Sequence, residues 1–274
     1  MAIVSTLLSG IRSFSETNSF DELGYQIAVD DYTGIAFFID KFGQNLQINS
    51  GQTEDIWSNG GAKAFPAVAA VTQVVSDSTD DDAGGTGALT VRVLGYDNNS
   101  DLITEDATMD GTTAVTLSAS FKDIYRAIVL TAGSNETNVG NITIQHSTGS
   151  VVLGQIATGY GTTQLSHFTI PNNYTGFMVS YSTGVGTTSG GGSTLRVGEV
   201  SLLQRPDGGA WRYNESFGVE SDSSPVNQGH KHPLIFPTKT QIKFICLAET
   251  NNTKAFVTYE LYCINNNYLV NPPS

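Results

Sequence analysis

The chain has 274 residues with 13 Lys and Arg against 26 Asp and Glu, a formal net charge of −13. That balance argues against binding nucleic acid or an anionic membrane, since both rest on neutralising phosphates with cations. Charged residues are only 14% of the chain, against roughly a quarter in an average domain; Ser, Thr, Asn and Gly take their place and favour strands and turns over helices.

The opening MAIVSTLLSGIRSF has no charged region ahead of its apolar residues, so no secretory signal is expected. No run reaches the roughly 20 apolar residues of a membrane span. Residues 1–20 are the one expected helix or arm. Ile3, Val4, Leu7, Leu8, Ile11 and Phe14 fall at helical spacing on one face, although Gly10 and the Ser/Thr content weaken the helix. Such a stripe packs either on its own domain or on a neighbouring subunit, and the second reading makes these six residues a contact element.

Strands are expected next at 24–29, 34–40 and 45–49, with Asp30–Thr33 turning the chain between the first two and Trp57 anchoring the end of this part. The run AVAAVTQVV at 67–75 is apolar on both faces and reads as a central strand. From 77 to 157, short alternating runs are broken by Gly, Asp and Asn clusters, the pattern of an antiparallel meander. It predicts strands at 88–95, 101–108, 112–117, 121–131, 140–146 and 151–157. Gly159-Tyr160-Gly161 is a candidate linker. A second block follows, with strands at 163–170, 174–182, 194–205, 210–219, 233–237, 239–248 and 254–264; the Gly-rich stretch 183–193 reads as a long hairpin loop. Roughly seventeen strands define an all-β chain, an antiparallel β-sandwich or jelly-roll-like architecture with two lobes and a short N-terminal helix or arm. The expected division is 1–60 for the arm and a small β subdomain, 61–160 for one sandwich lobe and 161–274 for the second.

Cys246 and Cys263 fall in neighbouring expected strands around the Asn251-Asn252-Thr253 turn. With that turn as a hairpin tip, the two would sit about five residues out of register, too far for a disulfide. Two free, buried thiols are expected.

Asp77, Asp80, Asp81 and Asp82 place four carboxylates within six residues. They form either a solvated acidic turn before strand 88–95 or a calcium-like site, the only cofactor the sequence suggests; the order D-x-x-D-D-D lacks the D-x-D-x-D-G of a calcium loop. His230 and His232 are two imidazoles at i and i+2, a zinc pair only with a third ligand, and otherwise exposed histidines. Trp211, Tyr213 and Phe217 follow the Asp207-Gly208-Gly209 turn and read as core, subunit contact or a sugar-stacking face. No G-x-S-x-G elbow and no G-x-x-x-x-G-K-[ST] loop occurs, and the Glu105–Asp106 pair has no partner that sequence supplies. No catalytic residue is proposed and an enzyme is not expected.

The runs GGTGALTVRVLGYDNN (84–99), LITEDATMDGTTAVTLSASFKDIYRAIVLTAG (102–133) and NVGNITI (138–144) resemble a virion structural-protein family of tailed bacteriophages, chiefly those of marine bacteria. FTIPNNYTGFMVSY (168–181), LRVGEVSLLQRPDGGAWRYNESF (195–217), HPLIFPTKTQIKF (232–244) and NNTKAFVTYELYCI (251–264) resemble the second half of the same family. Residues 1–60 fall outside the resemblance. It implies a non-enzymatic virion component, on the head surface in preference to the tail. The expected role is a capsid decoration or cement-type subunit that contacts the major capsid protein or other virion subunits through the stripe Ile3–Phe14. The implied assembly is a homo-oligomer, with a trimer favoured by analogy. The alternative is a tail- or spike-associated adhesin that binds host glycans through loops 183–193, 207–211 and 221–232.

Overall fold

A computed structural model describes residues 34–187 and 195–269. The stripe at residues 1–20 and the strand expected at 24–29 lie outside the described residues. Among the described residues, period-two alternation is realised as sixteen strands, with one short 3-10 turn at Asn266–Tyr268. The strands form four antiparallel sheets, which face each other in two pairs.

The first pair is built from consecutive chain. One sheet holds β3 (Ala70–Ser76), β6 (Val115–Phe121), β8 (Ile142–His146) and β9 (Val152–Ile156) in the order β6-β3-β8-β9; the other holds β4 (Ala88–Tyr96), β5 (Leu102–Thr108) and β7 (Asp123–Ala132) in the order β5-β4-β7. Val74, Phe121, Ile142 and Ile144 from one sheet meet Val91, Val93, Ile124 and Ala127 from the other in a single buried cluster. β3 is interior to its sheet, as expected, but only one face is buried: Thr72, Val74 and Ser76 point in while Val71 is 48% exposed. Trp57 is buried in this same core.

The second pair needs distant chain. β1 (Ala36–Ile48), β11 (Tyr174–Thr187), β14 (Val226–Phe236) and β16 (Thr253–Asn265) form one sheet in the order β1-β16-β11-β14. β10 (Phe168–Thr169), β12 (Val197–Arg205), β13 (Arg212–Glu220) and β15 (Gln241–Ala248) form the other in the order β10-β15-β12-β13, with β2 (Thr53–Asp55) added on β15. Phe168, Val200, Leu202 and Phe244 pack against Met178, Val257, Tyr259 and Leu261.

β1 and β2, expected in a small subdomain of their own, therefore complete the C-terminal sandwich. β1 runs on through Lys41–Gln44, where a break was expected, because β16 pairs with it continuously from Ala36↔Ile264 to Asn45↔Ala255. The cysteines are free and buried, but for a different reason from the one the sequence offered. β15 and β16 are not a hairpin; they lie in opposite sheets, so Cys246 pairs across to Val200 and Cys263 to Gly176. Burial pushes the Cys246 thiol up to about 12.

β1 passes close to the segment entering β10. A Cβ on Gly43 would lie 2.5 to 2.7 Å from Ser166 atoms, two of them backbone. Gly43→Ala is expected to lower the unfolding free energy by about 1–3 kcal/mol through overpacking, whereas Gly229→Ala, with open space around it, leaves the denaturant midpoint nearly unchanged; urea titrations of both variants check this.

Candidate functional site at the junction of the two sandwiches

Charged side chains in a chain this poor in charge would be expected on the surface, yet several converge where the two sandwiches meet. Lys63, on the loop after β2, places Nζ 2.7 Å from Asp123 Oδ1 at the start of β7, and both side chains are 5% exposed or less. Asp123 Oδ1 also accepts the Ile124 N–H at 2.8 Å. His167, just before β10, sets Nε2 3.0 Å from Asp123 Oδ2. Asp55 on β2 accepts the Lys63 backbone N–H at 2.6 Å through Oδ2 and meets Lys243 Nζ at 2.6 Å through Oδ1. Lys41 on β1 donates to the Tyr125 carbonyl, and Arg126 to that of Asp40.

Burial opposes ionisation of Asp123, but Lys63 and then His167 more than offset it and hold the carboxyl at about 2. Burial pushes His167 down to about 4 against the pull of Asp123, so its imidazole is neutral at pH 7. Burial also lowers Lys63 and Lys41. The unit at neutral pH is one ion pair beside a neutral ring.

Phe65 organises the solvent side. Its ring meets His167 edge-on at 5.0 Å and Trp211 at 5.1 Å between centroids. Arg205 stacks 4.8 Å from the Trp211 ring and 5.2 Å from that of Phe65, and Lys243 lies 4.8 Å from Trp211. Beyond these rings opens a cavity of about 350 Å³. Its floor is a row across the outer face of the β10-β15-β12 sheet, where Thr169 pairs with Gln241 and Gln241 with Arg205. Phe65, Lys122, Lys239 and the Asp207-Gly208-Gly209 turn form the walls. Arg205 donates through Nε to Gln241 Oε1 at 2.6 Å.

The four clustered aspartates are drawn into separate turns. Asp81 is fully buried: Oδ1 accepts from Ala88 N and Val139 N, and Oδ2 from Ser76 Oγ and Gly140 N, at 2.6 to 2.9 Å. Asp77 receives the backbone and side-chain N–H groups of Asn141, and Asp82 that of Gly84. Asp80 is exposed. Among the described residues no group of three or more His, Cys, Asp or Glu is placed to hold a metal ion. Glu105 accepts the β6 N–H groups of Ser118 and Ala119, tying the two sheets of the first sandwich together, and Asp106 makes a two-point pair with Arg92. His230 packs on Tyr181, 3.7 Å from Glu215, while His232 is exposed.

Trp211, Tyr213 and Phe217 do not share a role. A register slip between Leu202 and Leu203 leaves Asn214 as an extra residue on β13. Phe217 therefore packs towards Tyr181 in the core, Tyr213 is 66% exposed, and Trp211 belongs to the junction. Sequence reasoning missed Lys63, Phe65, Asp123 and His167, which are scattered over a hundred residues and carry no local pattern. A Lys beside apolar residues in KAFP was the one available hint.

No protein-family model matches the chain, and no curated protein matches it. Solved structures that align include that of the infectious bursal disease virus Gx strain, at 12% identity over 85% of this chain and 72% of that one, with a TM-score of 0.23. T=1 particles derived from infectious bursal virus align at 12% identity over 86% and 71%, with a TM-score of 0.20. Likenesses at this level decide neither fold nor function; the fold rests on the strands and their pairing. Among the described residues no helix is long and apolar enough to cross a membrane.

Asp123→Asn leaves Lys63 buried without a counter-charge and is expected to cost about 3–5 kcal/mol of stability, read from the denaturant midpoint at pH 7. His167 titrates at about 4 in the fold against an ordinary 6.5, so the unfolded chain takes up that proton first. Stability is therefore level above pH ~6.5 and falls by about 3 kcal/mol as pH drops towards ~4. The Asp123 contribution is then lost between ~4 and ~2. His167→Gln should flatten the first fall in a pH series of urea titrations; an unchanged slope would remove His167 from this account.

Proposed function

We propose that the chain is a non-enzymatic structural subunit of a virion, a decoration or cement-type protein on the head surface of a tailed phage, where it contacts shell subunits and copies of itself. The observation that carries the reading is an apolar row on the outside of the second sandwich. In register across four strands stand Phe38, Tyr262, Phe177 and Ile235. Phe38, Tyr262 and Phe177 belong, with Ala36, Ile264 and Leu269, to a cluster separate from the sandwich core, in which Ala36, Tyr262 and Ile264 are buried. A one-sided antiparallel sheet normally alternates polar residues onto its outer face; here the outer face is apolar, with Tyr262 buried, Phe38 and Phe177 half-buried and Ile235 exposed.

The chain enters β1 beside this patch, at Gly34–Ala36. The occupant of the patch is a neighbouring virion subunit, and the stripe Ile3, Val4, Leu7, Leu8, Ile11 and Phe14 is the second proposed contact element. The motif series that resembles phage virion proteins supports the same reading, since its pieces fall on β4–β8 and β10–β16, across both sandwiches.

Ile235 is 51% exposed at the end of the row, so Ile235→Asp leaves the thermal midpoint within about 2 °C. Binding to purified phage heads, read by co-sedimentation, should fall for Ile235→Asp and be abolished by deletion of residues 1–20 with the β-type circular dichroism retained. Undiminished co-sedimentation of both variants would contradict the proposed contact side.

A further inference from the structure

The junction cavity has the make-up of a ligand site. Lys63, Lys122, Arg205, Lys239 and Lys243 lie in or against it, five of the 13 Lys and Arg in a chain of net charge −13. An acidic protein that gathers its few cations at one concavity focuses a positive field there. Two of the five are committed: Lys63 to Asp123 and Lys243 to Asp55. Lys122 and Lys239 line the wall and make no ion pair among the described residues. Asp123, also on the wall, is neutralised by Lys63, which leaves Asp207 on the exposed turn as the one opposing carboxylate.

A second, independent feature lies on the floor. Thr169 is 5% exposed and its Oγ1 has no hydrogen-bond partner among the described residues. Phe168 beside it points into the core, so strand alternation turns Thr169 to the cavity side with Gln241 and Arg205. Burying a hydroxyl without a partner is unfavourable, and a ligand hydroxyl would supply one. Gln241 spends Oε1 on Arg205 and keeps its amide N–H groups available. Lys239 is fixed by its turn at φ 60°, with its N–H on the Ile170 carbonyl at 2.9 Å.

We propose that this cavity binds a carboxylate-bearing saccharide, with Lys122, Lys239 and Arg205 receiving the carboxylate and Thr169 and Gln241 the hydroxyls. The volume of about 350 Å³ exceeds what a bare inorganic anion fills. The Phe65 and Pro66 wall offers apolar surface for the C–H face of a sugar ring. The site does not depend on the virion role and would serve any location of the protein.

The test is titration calorimetry of the full chain with glucuronate, glucose and inorganic phosphate as separate probes. Saturable glucuronate binding is expected, with glucose and phosphate each at least about tenfold weaker because each supplies only half of the contacts. Lys122→Ala and Lys239→Ala should each weaken glucuronate by about tenfold and leave the thermal midpoint unchanged. Thr169→Val, which keeps the shape of the side chain, should weaken glucuronate and glucose alike. Absence of glucuronate binding to the intact protein would overturn the proposal, as would binding insensitive to both lysine variants. Phosphate matching glucuronate would overturn the saccharide assignment, and glucose matching it would overturn the role of the cations.

Discussion

The Lys63–Asp123 ion pair holds the two sandwiches in one arrangement. Each sandwich has its own apolar core, Tyr96 of β4 reaches into the second one, and the buried charges lie beside this aromatic contact. A buried pair gains little net stability over apolar residues of the same volume, because desolvation offsets the Coulomb attraction. Its effect is geometric: Asp123 opens β7 in the first sandwich, while Lys63 is fixed by its backbone N–H on Asp55 of β2 in the second. Sliding one sandwich on the other would strand a charge away from water. The Tyr96 hydroxyl accepting from Thr169 N, and Tyr96, Tyr125 and Phe168 packing together, fix the same interface a turn away.

The same junction shapes the cavity. Arg205 lies over Phe65 and Trp211 because those rings also cover the Lys63 and Lys243 ammonium groups, so the wall of the cavity and the lock between sandwiches share one aromatic ring. A site built from both sandwiches exists only when they are docked. The apolar row Phe38–Tyr262–Phe177–Ile235 lies on the far sheet of the second sandwich, so the proposed subunit contact and the proposed ligand cavity occupy different sheets of one molecule.

Strands were legible in the sequence wherever alternation was local. Leu89–Leu94 and Phe256–Leu261 needed only period two and bounding turn residues to be placed. Pairing partners were not legible, because β1 finds β16 more than two hundred residues away and nothing in either strand names the other. β14 was underestimated at 233–237 because Asn227–His232 is polar, as an edge strand is. The junction was invisible for a related reason: a buried ion pair leaves no periodicity, and Asp123 and His167 look like ordinary turn residues until the fold brings them together. The acidic cluster at 77–82 read as an acidic turn or a cation site, and the carboxylates of Asp77, Asp81 and Asp82 accept backbone N–H groups in tight turns. There Gly87 and Gly140 leave no room for a Cβ, which would stand 2.2 and 2.4 Å from Asp81 and Asp77 oxygens.

Cryo-electron microscopy of intact phage particles that carry this chain addresses the proposed role most directly. The expected result is density repeated over the head lattice, with the outer face of the β1-β16-β11-β14 sheet and residues 1–20 turned to the shell or to a neighbouring copy. Density confined to the tail or to a single vertex, or that face turned to solvent on every copy, would contradict it.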